Sequence, residues 1–227
     1  MVRVVIFDLD DTLISERKYI QSGYHYIAEL VSRRVQESEQ ELYHLLMTLL
    51  KQSPKNVFNR LFETLGIAYT NGDILELVEQ YRSHSPIIDF YDDVLPCLEY
   101  LKGMDIKLGI ITDGYANAQR QKLKVIQADD YFDEIIVTDE LGKKYWKPHP
   151  KSFEKMRDLF NVRFSDMVYI GDNIAKDFIT PNRLGMITVH INREGGIYNQ
   201  DMQDYEHDFH ALYSIKSIYD LPDLFKI

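Results

Sequence analysis

Apolar and polar positions along the chain follow two patterns. Short, nearly continuous apolar runs rich in β-branched residues occur at 2–7, 106–111, 134–138, 167–170 and 186–191. Runs of this kind, cut off by polar residues, read as strands buried on both faces of a parallel sheet. Helical periodicity fills 116–127, 150–160 and 175–184. Strands that alternate with helices at this spacing imply βαβ units. The predicted fold class is therefore α/β, with a doubly wound parallel sheet carrying helices on both faces. The tail, 210–227, is expected to add an edge strand and a short helix near Leu221.

The stretch 15–86 is different, with helical periodicity and no convincing strand. Tyr19, Tyr26, Ile27 and Leu30 fit one apolar helix face, and Leu42, Leu45, Leu46 and Leu49 fit a second. Val57, Leu61 and Leu65 fit a third, with Gly66 as its C-terminal cap. Ile74, Leu77, Val78 and Tyr81 fit a fourth, ended near Pro86. These stripes predict a small helical bundle inserted straight after the first strand. The expected division is an α/β core over 1–14 and 87–227, interrupted by a helical domain over 15–86. Tyr19, Tyr24, Tyr26 and Tyr43 read as packing within the bundle, with a polar aromatic pocket as the alternative.

Composition narrows the picture. The 227 residues carry a formal charge of −10. So acidic a body repels polyanions, which disfavours nucleic acid as a partner. No apolar run approaches the length of a membrane span or a signal peptide, so the expected setting is the cytoplasm, with no membrane partner. The single cysteine, Cys97, reads as a small buried hydrophobe. A monomer is the expected state.

In an open parallel sheet, ligands bind beyond the carboxyl ends of the strands. The first predicted strand ends in Asp8-Leu9-Asp10-Asp11-Thr12 and the second in Thr112-Asp113-Gly114. Lys147-Pro148 follows the third, and Gly171-Asp172-Asn173 closes the fourth, with Asp177 five residues beyond Asp172. Carboxylates, a hydroxyl and an ammonium thus converge. Packed carboxylates repel one another, and a hard divalent cation with oxygen ligands relieves this, Mg²⁺ being the best match. Tyr145 and Trp146 read as packing, His149 as a surface or capping residue, and His207 and His210 lack ligand spacing. Glu16, Arg17, Lys18, Lys55, Asn59 and Arg60 read equally well as solvated helix starts or as substrate contacts.

Taken in order, Asp8-Leu9-Asp10-Asp11-Thr12, Ile111-Thr112-Asp113-Gly114, Lys147-Pro148 and Gly171-Asp172 through Asp177 resemble the motifs of the haloacid dehalogenase superfamily, phosphatase branch. The resemblance runs from Val2 to about Ile191, and the insert is similar to the cap domain of one large subclass. It implies a Rossmann-like core, Mg²⁺, and a small phosphorylated metabolite of the sugar phosphate or nucleoside monophosphate class. By resemblance, Asp8 is the nucleophile that becomes an aspartyl-phosphate, and Asp10 is the general acid and base. Thr112, the Asp113 amide and Lys147 hold the phosphoryl group. Asp8, the Asp10 backbone carbonyl and Asp172 hold the metal, and Asp177 orients Lys147 or a metal-bound water. The insert is expected to close as a lid. Asp10 disfavours a dehalogenase, because halide leaves without a proton. The alternatives are a phosphomutase using the same aspartate and a non-catalytic binding protein on the same fold.

Overall fold

Val4–Phe7, four apolar residues with no exposed surface, form β1 in the middle of a six-stranded sheet. The remaining strands are β2 (Lys107–Thr112), β3 (Glu134–Val137), β4 (Met167–Gly171), β5 (Ile187–Ile191) and β6 (Tyr213–Ile215). Their order is β3-β2-β1-β4-β5-β6, and every neighbouring pair is parallel. The computed structural model describes residues 1–197 and 205–225. Lys226 and Ile227, which fall within the predicted tail, lie outside the described residues.

Register decides where the chemistry sits. Phe7 lies beside Ile110 of β2 and Ile170 of β4. The carboxyl ends of these three strands therefore fall at one edge, where the strand order reverses around β1. That is the crevice in which doubly wound sheets bind ligands.

The chain divides into two units, Met1–Arg17 with Ile88–Ile227, and Lys18–Ile87. Four helices account for the inserted stretch: α1 (Glu16–Ser32), α2 (Glu39–Gln52), α3 (Val57–Thr64) and α4 (Asn71–Ser83). Their shared core includes Ile27, Leu42, Leu46, Leu61 and Leu77, each buried. Full burial of such a side chain contributes roughly 1.5–3 kcal/mol. Capping boxes start two of the helices. Ser38 and Glu41 exchange hydrogen bonds ahead of α2, and Thr70 and Asp73 do so ahead of α4. Gly66 follows α3 at φ +66°, and its N–H donates to the Glu63 carbonyl, as the sequence suggests for a C-terminal cap. Tyr19 and Tyr24 are buried, and Tyr24 packs with Phe58 and Tyr81, so packing describes these two tyrosines. Arg60 donates to the carbonyls of Leu49 and Ser53, closing the end of α2 instead of standing in solvent.

The larger unit adds α5 (Val94–Gly103), α6 (Ala116–Val125), α7 (Thr138–Leu141), α8 (Lys151–Phe160), α9 (Ile179–Leu184) and α10 (Leu221–Phe225). Two departures from the sequence reading stand out. Helix α5 lies where no helix is predicted, although Val94, Cys97, Leu98 and Leu101 mark a buried stripe at helical spacing. The helix expected over 175–184 begins only at Ile179, because Asp177 uses its side chain to accept from the Asn173 N–H in a local turn. Cys97 is buried and donates to the Ile218 carbonyl, and burial pushes its thiol up to about 12, so it packs inertly. Among the described residues, no helix is long and apolar enough to cross a membrane.

Candidate active site

The Asp8 N–H donates to the Ile170 carbonyl at 2.8 Å, which carries the β1–β4 ladder one residue past the strand and delivers the Asp8 side chain at the sheet edge. The chain then turns sharply. Asp11 takes φ +50°, and its carboxylate accepts from the Glu16 N–H at 3.0 Å and the Ile197 N–H at 2.7 Å. Arg193 braces the turn from beside it. Its guanidinium donates twice to the Thr12 carbonyl, at 3.1 and 2.8 Å, and once to Asp93 at 2.6 Å.

Lys147 has no exposed side-chain surface. Its ammonium lies 2.8 Å from Asp8 Oδ1, 2.8 Å from Asp177 Oδ1 and 2.8 Å from the Tyr169 hydroxyl. Burying an ammonium costs several kcal/mol unless it is paired, and here three oxygens surround it. The Lys147 N–H donates to Asp113 Oδ1 at 3.1 Å, which the Thr138 hydroxyl also approaches at 2.6 Å. The Asp113 side chain therefore ties the end of β2 to the Lys147 segment, so only the backbone N–H of this residue could face an anion. The Thr112 hydroxyl is buried without a hydrogen-bond partner in the structure. An orphaned buried donor of this kind asks for a ligand oxygen.

Oxygen atoms of Asp8, Asp172 and Asp177 all lie within 4.8 Å of one another. Burial pushes the Asp8 carboxyl up to about 6, with Lys147 pulling against it and Asp177 adding to it. Asp172 is driven well above the usual carboxylate range, by burial first and then by Asp8, Asp177 and Asp11. Asp177 goes the other way, because Lys147 and Lys176 outweigh its burial. Three buried carboxyl groups crowded so closely that two of them are raised suit a hard divalent cation with oxygen ligands. The Asp10 carboxylate is not part of this cluster. It accepts from Lys122 at 2.7 Å and from Gln119 at 2.9 Å, so only its backbone carbonyl could serve as a metal ligand, as the family resemblance implies.

Several residues of this site escape the sequence reading. Lys122 and Gln119 hold Asp10. Lys176 stands 3.5 Å from Asp113 Oδ2, a second cation beside the cluster. Glu16 is no solvated helix start, since its carboxylate lies 2.6 Å from the Lys122 ammonium. The signal that could have found Lys122 and Gln119 is their i, i+3 placement on the first helix after Thr112-Asp113-Gly114. His149 accepts from the Lys151 N–H at the start of α8, the capping role expected of it. Trp146 donates to Asp139 at 3.1 Å, and its ring packs against Tyr115, consistent with packing.

Two glycines are required by contact. A Cβ on Gly171 would stand 2.5 Å from Asp177 Oδ2. One on Gly114, which sits at φ +137°, would collide with the Gln119 amide that holds Asp10.

A family model described as haloacid dehalogenase-like hydrolase matches residues 5–191. The chain is 32% identical over 210 residues to a glyceraldehyde 3-phosphate phosphatase of Methanopyrus kandleri, covering 89% of this chain and 88% of that one. It is 30% identical over 215 residues to the N-acylneuraminate-9-phosphatase of Rattus norvegicus, covering 86% and 85% of the two chains. Among solved structures, a HAD phosphatase from Thermococcus onnurineus superposes with a TM-score of 0.65 at 27% identity, over 99% of this chain and 98% of that one.

Proposed function

The chain belongs to the phosphatase branch of the haloacid dehalogenase-like hydrolases, and from that premise we propose that it hydrolyses a small sugar-type phosphate monoester through a phosphorylated Asp8. The observation that carries this reading is the position of Asp8. Its carboxylate is buried at the sheet crevice, shared between the Lys147 ammonium and the carboxylates of Asp172 and Asp177.

Asp8 attacks phosphorus, its oxygen forming a bond as the bond to the leaving oxygen breaks. Asp10 gives that oxygen a proton, then takes one from the water that splits the acyl phosphate and releases inorganic phosphate. The Thr112 hydroxyl and the Asp113 amide donate to phosphoryl oxygens, and Lys147 offsets the charge on the transferred group. Asp177 keeps Lys147 in place. Asp8, Asp172 and the Asp10 carbonyl would hold a divalent cation, Mg²⁺ fitting this all-oxygen donor set, and when bound it would supply positive charge to offset that of the nucleophile and the phosphate.

The named relatives act on glyceraldehyde 3-phosphate and N-acylneuraminate 9-phosphate. Both are alkyl esters, whose leaving oxygen needs a proton, the step here assigned to Asp10. This supports a sugar-type substrate for the present chain. The test is phosphate release from glyceraldehyde 3-phosphate and from a panel of sugar phosphates and nucleoside monophosphates, with Mg²⁺ and with EDTA. Metal-dependent release far in excess of enzyme supports the hydrolase. Isomerised substrate without free phosphate would instead mark a phosphomutase.

A further inference from the structure

Lys122 lies outside all four motif segments, yet its side chain is only 3% exposed and its ammonium meets two carboxylates, Asp10 at 2.7 Å and Glu16 at 2.6 Å. Three residues earlier on α6, Gln119 donates through Nε2 to the other oxygen of Asp10 at 2.9 Å and to the Asp113 carbonyl at 2.6 Å. Positions i and i+3 share one helix face, so α6 presents two donors side by side, one to each oxygen of a single carboxylate. The Lys122 grip spans 112 residues of sequence.

A buried ion pair adds little to stability compared with apolar packing of the same volume. Its clearest consequence here is geometric, since a carboxylate held at both oxygens cannot rotate about its last bond. We infer that Lys122, with Gln119, is a positioning residue for the acid–base step, fixing the place and direction of the Asp10 carboxyl. This rests on the reading of Asp10 as the acid and base. Lys122 keeps its protons throughout. Glu16 gives the ammonium a second acceptor, so the charge remains paired while Asp10 carries the proton it passes to the leaving oxygen.

The test compares kcat/KM, which reports the phosphorylation step, on two esters. p-Nitrophenolate leaves without a proton, whereas the alkoxide of glyceraldehyde 3-phosphate does not. In Lys122→Met, kcat/KM on the alkyl ester is expected to fall about 100-fold, the scale of a general acid's contribution, and on p-nitrophenyl phosphate less than about fivefold. Gln119→Leu, which removes no charge and guards against misfolding of the lysine variant, should show the same selectivity at about tenfold. Lys122→Arg should recover part of the alkyl-ester rate. Equal losses on both esters would assign Lys122 a merely structural role and overturn the inference, and so would no loss on either. A wild-type protein inactive on both esters would overturn the phosphatase reading itself, and the inference with it.

Discussion

The Lys147 ammonium stands between Asp8 and Asp177, 2.8 Å from an oxygen of each, with no exposed side-chain surface. One buried cation thus serves the proposed nucleophile and the carboxylate that anchors it. Removing the cation leaves two buried anions facing each other. Lys147→Met is expected to lower kcat by about 100- to 1,000-fold, as loss of a preorganised charge contact does. The same variant should lower stability by about 3 kcal/mol or more, as breaking a buried pair does. Lys147→Arg should not restore the rate, because the guanidinium fork does not fit a site closed around a point charge. Steady-state kinetics and chemical denaturation of the two variants check this.

Metal binding should be visible without turnover. Asp172 is pushed well above the usual carboxylate range by burial and by its acidic neighbours, so holding it there costs the metal-free protein stability. Asp172→Asn is expected to raise the melting temperature in EDTA. Adding Mg²⁺ should stabilise the wild type by about 2.7 kcal/mol at a concentration about 100 times Kd. The shift should vanish in Asp172→Asn. Thermal melts of both proteins with and without Mg²⁺ read this directly.

The Arg193–Asp93 pair gives a pH dependence. Burial tends to raise the Asp93 carboxyl, but Arg193, Ser217 and the Ile218 N–H together hold it below its ordinary value. A carboxyl lowered in the folded state contributes stability above its unfolded value of about 3.9, and that contribution is lost as pH falls through the lower folded value. Asp93→Ala should therefore melt well below the wild type at pH 7, with the gap closing in acid below about pH 4. Because Arg193 also holds the Thr12 carbonyl, the variant should lose activity at pH 7 as well.

Gly171→Ala tests the packing behind the cluster. The new Cβ would stand 2.5 Å from Asp177 Oδ2, which the Asn173 N–H already fixes at 2.9 Å. Overpacking of this kind costs about 1–3 kcal/mol. Displacing Asp177 should also loosen Lys147, so activity is expected to fall further than the stability loss explains. Denaturation and phosphate release on one preparation separate the two effects.

How much of this is legible in the sequence follows from where the information lies. The strand ends are readable because a parallel strand buried on both faces is a continuous apolar run, and the polar residue that stops it stands at the crevice. Asp8, Thr112 and Asp172 are found that way. Helix α5 escapes the sequence reading although its buried stripe is present and Pro96 falls in the first turn, where a proline is tolerated. Lys122 and Arg193 are not legible as site residues. Each reads as an ordinary surface cation, and each is buried by partners far away in sequence: Asp10 and Glu16 for Lys122, Thr12 and Asp93 for Arg193. Glu16 misleads for the same reason, since its partner lies 106 residues along the chain.

The central claim is that the phosphoryl group passes through Asp8. Its most direct test is to quench the enzyme in acid during turnover of glyceraldehyde 3-phosphate with Mg²⁺, reduce the quenched protein with borohydride, and map the peptides by mass. An acyl phosphate at Asp8 would be reduced to homoserine at that position, and the account predicts this change in the peptide holding Asp8 and not in Asp8→Asn. An unmodified Asp8 in an enzyme that is releasing phosphate, or the change at another carboxylate, would contradict it.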